Sequence, residues 1–144
     1  MSDHLPITRQ CNAAIVSTIA ALPPETGGIL GSADGIAVTD FVFDGGAESS
    51  SEFYVPDAAF LNREIARWRR EDIRFFGMAH SHLRGRKKLS YSDIEYARRV
   101  MESMALEKLY MLLVDTDTVE YDVSVFAFSG ENGRDFKQIG YTIV

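Results

Sequence analysis

The segment formed by residues 73–105 constrains the fold more than any other part of the chain. Its first seven residues are apolar except for Arg74, which predicts a mostly buried strand. After a short connection, apolar residues recur at helical spacing, and these are Ile94, Ala97, Val100, Met101 and Met104. A buried strand followed by an amphipathic helix is typical of a sheet with helices packed against it.

Two histidines stand at the end of this strand, in the sequence His80-Ser81-His82. Residues i and i+2 of a strand face the same way, so both imidazole rings are expected on one side. Asp93 returns to the same region from the start of the helix. Three protein ligands are typical of a catalytic zinc site, whose fourth position holds water, whereas structural sites have four ligands and are rich in Cys. The pattern therefore predicts a metal site formed by His80, His82 and Asp93.

The same residues also have a purely structural interpretation. Ser90-x-x-Asp93 is a helix start of the capping-box type, and Ser92-x-x-Glu95 offers a second start. Capping by Ser90 and Asp93 is compatible with metal binding by Asp93, so the two interpretations can hold together.

The rest of the chain predicts an α/β fold with one mixed sheet and flanking helices. Its length predicts a single domain over residues 1–144. The expected helices are 8–21, stopped by Pro23-Pro24, and a second one opened by Pro56-Asp57, with Leu61, Ile65 and Trp68 on its apolar stripe. The other expected elements are a strand 27–31, a turn 33–35, a strand 36–43, a loop 44–52, a strand 109–114, a strand 121–127, a turn 129–133 and a strand 136–144.

Charge and composition exclude some classes of function. Because the net charge is −6, a general nucleic-acid-binding surface is not expected. The run Arg84-Gly85-Arg86-Lys87-Lys88 is a local exception between His82 and Ser90. It is either a solvated loop or a basic patch that steers an acidic stretch of substrate toward the metal.

The N-terminal residues and the single cysteine bear on location. Residues 1–6 are neither basic nor continuously apolar, and no apolar run approaches membrane-spanning length, so no leader and no membrane association are expected. Cys11 cannot form an intramolecular disulfide, which fits a reducing cytoplasm, and it is expected to be a buried structural thiol. His4 is expected at a frayed terminus and is left out of the metal site.

Taken together, these motifs resemble the JAB/MPN domain metalloproteases of the JAMM type. The family signature is a distal Glu, then His-x-His, seven residues, Ser, two residues and Asp; Glu25, His80-Ser81-His82, Ser90 and Asp93 meet it here. The segments 25–31 and 53–57 also resemble parts of bacterial members, so the similarity spans nearly the whole chain. The resemblance implies the JAB/MPN fold, a curved mixed sheet with helices around it that is related to the cytidine deaminase architecture. Leu83 and Leu89 stand where the family commonly has Pro.

The resemblance also implies a function and roles. It implies that Zn²⁺ is held by His80, His82 and Asp93 and activates water, that Glu25 is the general base, and that Ser90 donates a hydrogen bond to the oxyanion. The implied activity is a zinc isopeptidase or endopeptidase that cleaves after the C-terminal glycine of a ubiquitin-like protein. Homologues of ubiquitin-activating and ubiquitin-conjugating enzymes are the implied partners.

Two other functions are compatible with the residues. A non-catalytic MPN-type module would bind a ubiquitin-like partner or scaffold a complex, although such modules typically lose ligands and none is lost here. Two His and one carboxylate also suit a non-haem iron oxygenase. A zinc deaminase is excluded because it needs a downstream Cys pair, and Cys11 is the only cysteine. A cupin would need a third His on a neighbouring strand, for which His4 is poorly placed.

Overall fold

A computed structural model describes residues 4–19, 25–45, 48–49, 54–82, 88–115 and 122–144. Within these ranges it contains three α-helices, nine strands and a 3₁₀ turn at Glu131–Gly133. The helices are α1 (Arg9–Ile19), α2 (Ala58–Arg70) and α3 (Tyr91–Met104). The strands are β1 (His4–Ile7), β2 (Gly27–Ser32), β3 (Asp40–Phe43), β4 (Glu48–Ser49), β5 (Tyr54–Val55), β6 (Arg74–His82), β7 (Lys108–Asp115), β8 (Asp122–Ser129) and β9 (Asp135–Ile143).

Seven of these strands form one mixed sheet in the order β1-β9-β8-β7-β6-β2-β3. The pairs β6/β7 and β1/β9 are parallel, and the other neighbours are antiparallel. This confirms the predicted α/β class with a mixed sheet. The strand that carries the two histidines lies inside the sheet, between β2 and β7.

The sheet curls until its two edges meet. The Val38 N–H donates to the Pro6 carbonyl at 2.9 Å, and the Thr8 N–H donates to the Val38 carbonyl at 3.0 Å. Val38 lies just before β3, at the opposite edge of the sheet from β1. The first strand therefore closes the curl.

The expectation of a frayed N-terminus at His4 is wrong, because His4–Ile7 pairs in parallel with β9. Leu5 and Ile7 alternate into the core, where they are 1% and 0% exposed. A strand of four residues that contains a proline is too short for its alternation to be recognised in the sequence.

Each face of the sheet has its own apolar cluster. On one face, α1 contributes Cys11, Ile15 and Ile19. On the other face, α2 contributes Leu61 and Trp68, and α3 contributes Ala97 and Met101. The predicted apolar faces pack on the sheet through these residues, although Met104 is only partly buried and Ala20 lies outside the described residues. The strand β6 is covered on both sides.

Burial of Cys11 agrees with its predicted structural role. The thiol is 4% exposed, and burial, with a smaller effect of Asp40, raises its pKa to about 12. The neutral thiol is therefore the form present at neutral pH, and a nucleophilic role is disfavoured.

Several predicted boundaries need correction. The strand expected over 36–43 begins only at Asp40, because the Asp34 carboxylate accepts hydrogen bonds from the amides of Ile36 and Ala37 and bends the chain there. The loop expected over 44–52 contains β4, which pairs with β5. The predicted helix 8–21 is confirmed from Arg9 to Ile19, and its stop at Pro23-Pro24 lies outside the described residues.

Candidate metal centre

The rings of His80 and His82 face the same side of β6, as strand geometry predicts. Both residues are buried, at 6% and 5% exposed, and their Nε2 atoms are 3.1 Å apart. Ser81 lies between them and is fully buried. Its Oγ accepts a hydrogen bond from the Thr26 N–H at 3.0 Å, and its own N–H donates to the Thr26 carbonyl at 2.9 Å. These bonds attach the chain that precedes β2 to the end of the histidine strand.

Asp93 completes the cluster from the first turn of α3. Its Oδ1 is 3.2 Å from His80 Nε2, and its Oδ2 is 3.1 Å from His82 Nε2. Burial disfavours the charged carboxylate, yet hydrogen bonds from His80 and His82 and from the Ser90 amide hold the pKa of Asp93 well below its usual range. Asp93 is therefore an anion at neutral pH, as a metal ligand has to be.

The same turn of α3 confirms the capping interpretation. Ser90 is the N-cap: its Oγ accepts from the Asp93 N–H at 3.1 Å, and its N–H donates to Asp93 Oδ2 at 2.8 Å. The second start suggested by Ser92 and Glu95 is wrong, because Ser92 is already inside the helix. Capping holds the Asp93 carboxylate in place, so the structural and the metal-binding interpretations hold together.

His80, His82 and Asp93 form a group that could hold a metal ion, with all ligand atoms within 4.8 Å of one another. The two Nε2 atoms are 3.1 Å apart, close to the roughly 3.3 Å between tetrahedral ligands that lie about 2.0–2.1 Å from zinc. Each Asp93 oxygen faces a different histidine, at 3.2 and 3.1 Å. Two ring nitrogens and a carboxylate that face one another at this range need a cation or a proton between them. The donor set therefore fits a divalent metal.

Glu25 lies at the same site. It is 2% exposed and lines a cavity of about 450 Å³ together with His80, His82, Ser90 and Asp93. A Glu next to a Pro-Pro pair is ordinarily exposed to solvent, so the burial of Glu25 has to come from the tertiary structure. The bonds between Thr26 and Ser81 explain it, since they fix the residue that follows Glu25. All five residues predicted for the site are thus brought together.

Two residues of this region, Tyr54 and Asp44, were not predicted. The Tyr54 ring stacks on the His80 ring, with centroids 6.4 Å apart and planes at 19°. Its hydroxyl donates to Asp44 Oδ2 at 2.6 Å, and the same oxygen accepts from the Asp57 N–H at 2.9 Å. Asp44 is 2% exposed, and it joins the end of β3, β5 and the N-cap of α2. Neither spacing nor composition signals this network.

The basic segment 84–88 falls largely outside the described residues, which resume at Lys88. Lys88 itself is exposed. The proposed steering role of this segment stays a prediction. Phe53, part of the second family-like segment, also lies outside the described residues.

Comparison with known proteins gives the fold. No protein family and no curated protein matches the sequence. A similar solved structure is the solution structure of protein DSY2949 from Desulfitobacterium hafniense, with a TM-score of 0.72 and 18% identity, covering 97% of this chain and 92% of that one. At this identity the likeness establishes a shared fold alone. Among the helices in the described ranges, none is long and apolar enough to cross a membrane.

Proposed function

We propose that this protein is a zinc-dependent isopeptidase or endopeptidase with the JAB/MPN fold, which cleaves after the C-terminal glycine of a ubiquitin-like protein. The observation that carries the proposal is the placement of the buried Glu25 carboxylate in one cavity with His80, His82 and Asp93. A metal-binding group alone would suit many functions. A metal-binding group with a separate buried carboxylate suits hydrolysis, because a base has to accept the proton of the attacking water.

Zinc is the metal of the proposal, and His80, His82 and Asp93 would hold it. When bound there, it would polarise the scissile carbonyl and lower the pKa of a water molecule to about 7. The chain itself orients the ligands: Ser90 fixes the Asp93 carboxylate, and the sheet fixes both histidines.

Glu25 and Ser90 supply the proton transfer and the hydrogen bond of the proposed reaction. Glu25 takes a proton from the attacking water and returns it to the leaving amine, and its burial keeps bulk water from competing for that proton. The Ser90 Oγ accepts one hydrogen bond from the Asp93 amide, and its O–H donates to the developing oxyanion.

The substrate is assigned from the resemblance and from the shape of the site. The histidines and Glu25 lie inside a cavity rather than on a surface, so an extended and thin chain has to enter it. The tail of a ubiquitin-like protein ends in glycine, which has no side chain and therefore allows the substrate backbone to approach the metal site closely. The proposal places the reaction in the cytoplasm, beside enzymes that activate and conjugate such proteins.

The test is cleavage of a ubiquitin-like protein that ends in glycine and carries a C-terminal extension. The wild-type protein should cut after the glycine, and a chelator should stop the reaction. Glu25→Gln should keep its zinc and lose turnover, because a base moves protons without binding the metal. Alkylation of Cys11 should have no effect, since the thiol is buried and takes no part.

Zinc-loaded protein that binds the fusion tightly without cutting it would contradict the enzyme and favour the binding module. Release of zinc by Glu25→Gln would contradict the role given to Glu25. Iron-dependent oxidation in place of hydrolysis would favour the oxygenase.

A further inference from the structure

A second cavity, of about 290 Å³, lies beside the metal cavity between α2 and α3. Its floor includes Ile29 of β2 and Met78 of β6, and its walls include apolar residues of both helices, namely Leu61, Ile65, Val100 and Met104. Met78, Tyr96 and Arg99 line both cavities. The two cavities are therefore adjacent, and we call the pair the α2–α3 groove.

The length of this groove follows from α3. Asp93, Tyr96, Val100 and Met104 recur at intervals of three and four, so they lie along one face of the helix. Asp93 is at the metal end, and Met104 lines the apolar end. Eleven residues of helix rise about 16 Å, which equals roughly five residues of an extended chain. The groove thus matches a short extended peptide in length.

Arg99 is a cation placed between the two ends. It is exposed, it lines both cavities, and within the described ranges no carboxylate forms an ion pair with it. It lies six residues after Asp93, a rise of about 9 Å, or two to three residues of extended chain. An acidic group that enters the groove would meet Arg99 at that distance from the metal.

We propose that the α2–α3 groove binds one flank of the substrate peptide, with an acidic residue two or three positions from the cleaved bond paired to Arg99. An apolar residue about five positions from the bond fills the apolar end, against Leu61, Val100 and Met104. This inference rests on the proposed function for the position of the cleaved bond. It adds to that function a preference for an acidic residue in the substrate, although the protein itself carries a net charge of −6.

Labelled peptides test the preference without turnover. The probes are Leu-Ala-Glu-Ala-Gly-Ala-Ala, with Glu third and Leu fifth before the cut, and Ala-Ala-Gly-Ala-Ala-Glu-Ala-Leu, with Glu third and Leu fifth after it. Both are needed because the groove fits either chain direction. Each is compared with peptides that carry Gln or Lys in place of Glu, and Ser in place of Leu. Binding is measured by fluorescence anisotropy on zinc-loaded Glu25→Gln protein, which keeps the metal ligands and should leave the peptides intact.

For one of the two chain directions, the Glu peptide should bind about threefold to tenfold more tightly than the Gln peptide, as expected for a partly exposed ion pair. Arg99→Glu should reverse the preference toward the Lys peptide. Arg63→Glu is the matched control, since it makes the same charge change on an exposed residue of α2 that lines neither cavity, and it should leave the preference unchanged. Replacing Leu by Ser should weaken binding in the same direction.

Equal binding of the Glu, Gln and Lys peptides in both directions would overturn the inference, and so would no binding at all. An effect of Arg63→Glu as large as that of Arg99→Glu would also overturn it, because general electrostatics would then explain the data. The fusion cleavage assay separates the two proposals. A fusion that is cut without any peptide preference removes the groove inference alone, whereas an Arg99-dependent preference without cleavage removes the proposed function alone.

Discussion

At the scale of single residues, Tyr54 forms a wall of the metal cavity, and Asp44 holds it there. The phenol donates to a buried carboxylate oxygen at 2.6 Å while its ring stacks on His80. Burial and then the hydrogen bond to Asp44 raise the pKa of Tyr54 well above its usual range, so the phenol stays protonated and remains a donor.

Tyr54→Phe should therefore lower stability and turnover together while it preserves zinc content. The lost bond leaves a buried carboxylate with one partner fewer, which costs about 1–3 kcal/mol. Denaturant unfolding, metal content and kcat measure the three quantities. Tyr91→Phe is the control, because Tyr91 is 77% exposed and should change none of them. A fall in zinc content in Tyr54→Phe would mean that the ring positions the ligands more strongly than the geometry indicates.

Ser90 combines a structural and a chemical role that substitution can separate. Ser90→Ala should cost about 1 kcal/mol through the lost cap and should reduce kcat roughly a hundredfold through the lost oxyanion donor. Ser90→Thr keeps a hydroxyl for both roles and should recover most of the rate. If the fall in kcat of Ser90→Ala only matched the fall in its fraction of folded protein, Ser90 would act as a helix cap alone.

At the scale of elements, the histidine strand depends on Gly77. Gly77 has a φ of 155°, and a Cβ there would overlap the carbonyl oxygen of Tyr110 on the neighbouring strand β7. Gly77→Ala should destabilise the fold by about 3 kcal/mol or more, because backbone rather than a flexible side chain has to move. Gly45→Ala is the matched control, since among the described residues its Cβ would meet only Phe43, at 3.9 Å. Equal midpoints of thermal unfolding for the two variants would contradict the close approach of β6 and β7.

The elements also show what the sequence could predict. The strand β6 and the helix α3 were predictable because periodicity and the His and Asp spacing describe the same segment. The burial of Glu25 was not, since it depends on hydrogen bonds between Thr26 and Ser81, which are 55 residues apart. The contact of Tyr54 with Asp44 crosses a loop, and no periodic pattern reports such a contact.

At the scale of the whole molecule, the curled sheet places all the site residues at one end of β6. Glu25 arrives just before β2, which pairs with β6 in antiparallel register, Gly27 opposite His80. Asp93 arrives from α3, which connects β6 to its parallel neighbour β7. The topology thus brings the site residues together. The mixed sheet predicted from the order of the elements already implied the part of the site that β6 and α3 contribute. The closing role of β1 could not be predicted, because its partners Val38 and β9 lie far away in sequence.

The metal content of the purified protein tests the central claim most directly. Elemental analysis should find one zinc per chain in the wild type and almost none in the His80→Ala/His82→Ala double variant, because two of the three ligands are then missing. His4→Ala should keep its zinc, since the third histidine of the chain lies on β1 and is not part of the cluster. Iron without zinc in the wild type, or full zinc occupancy in the double variant, would contradict the account.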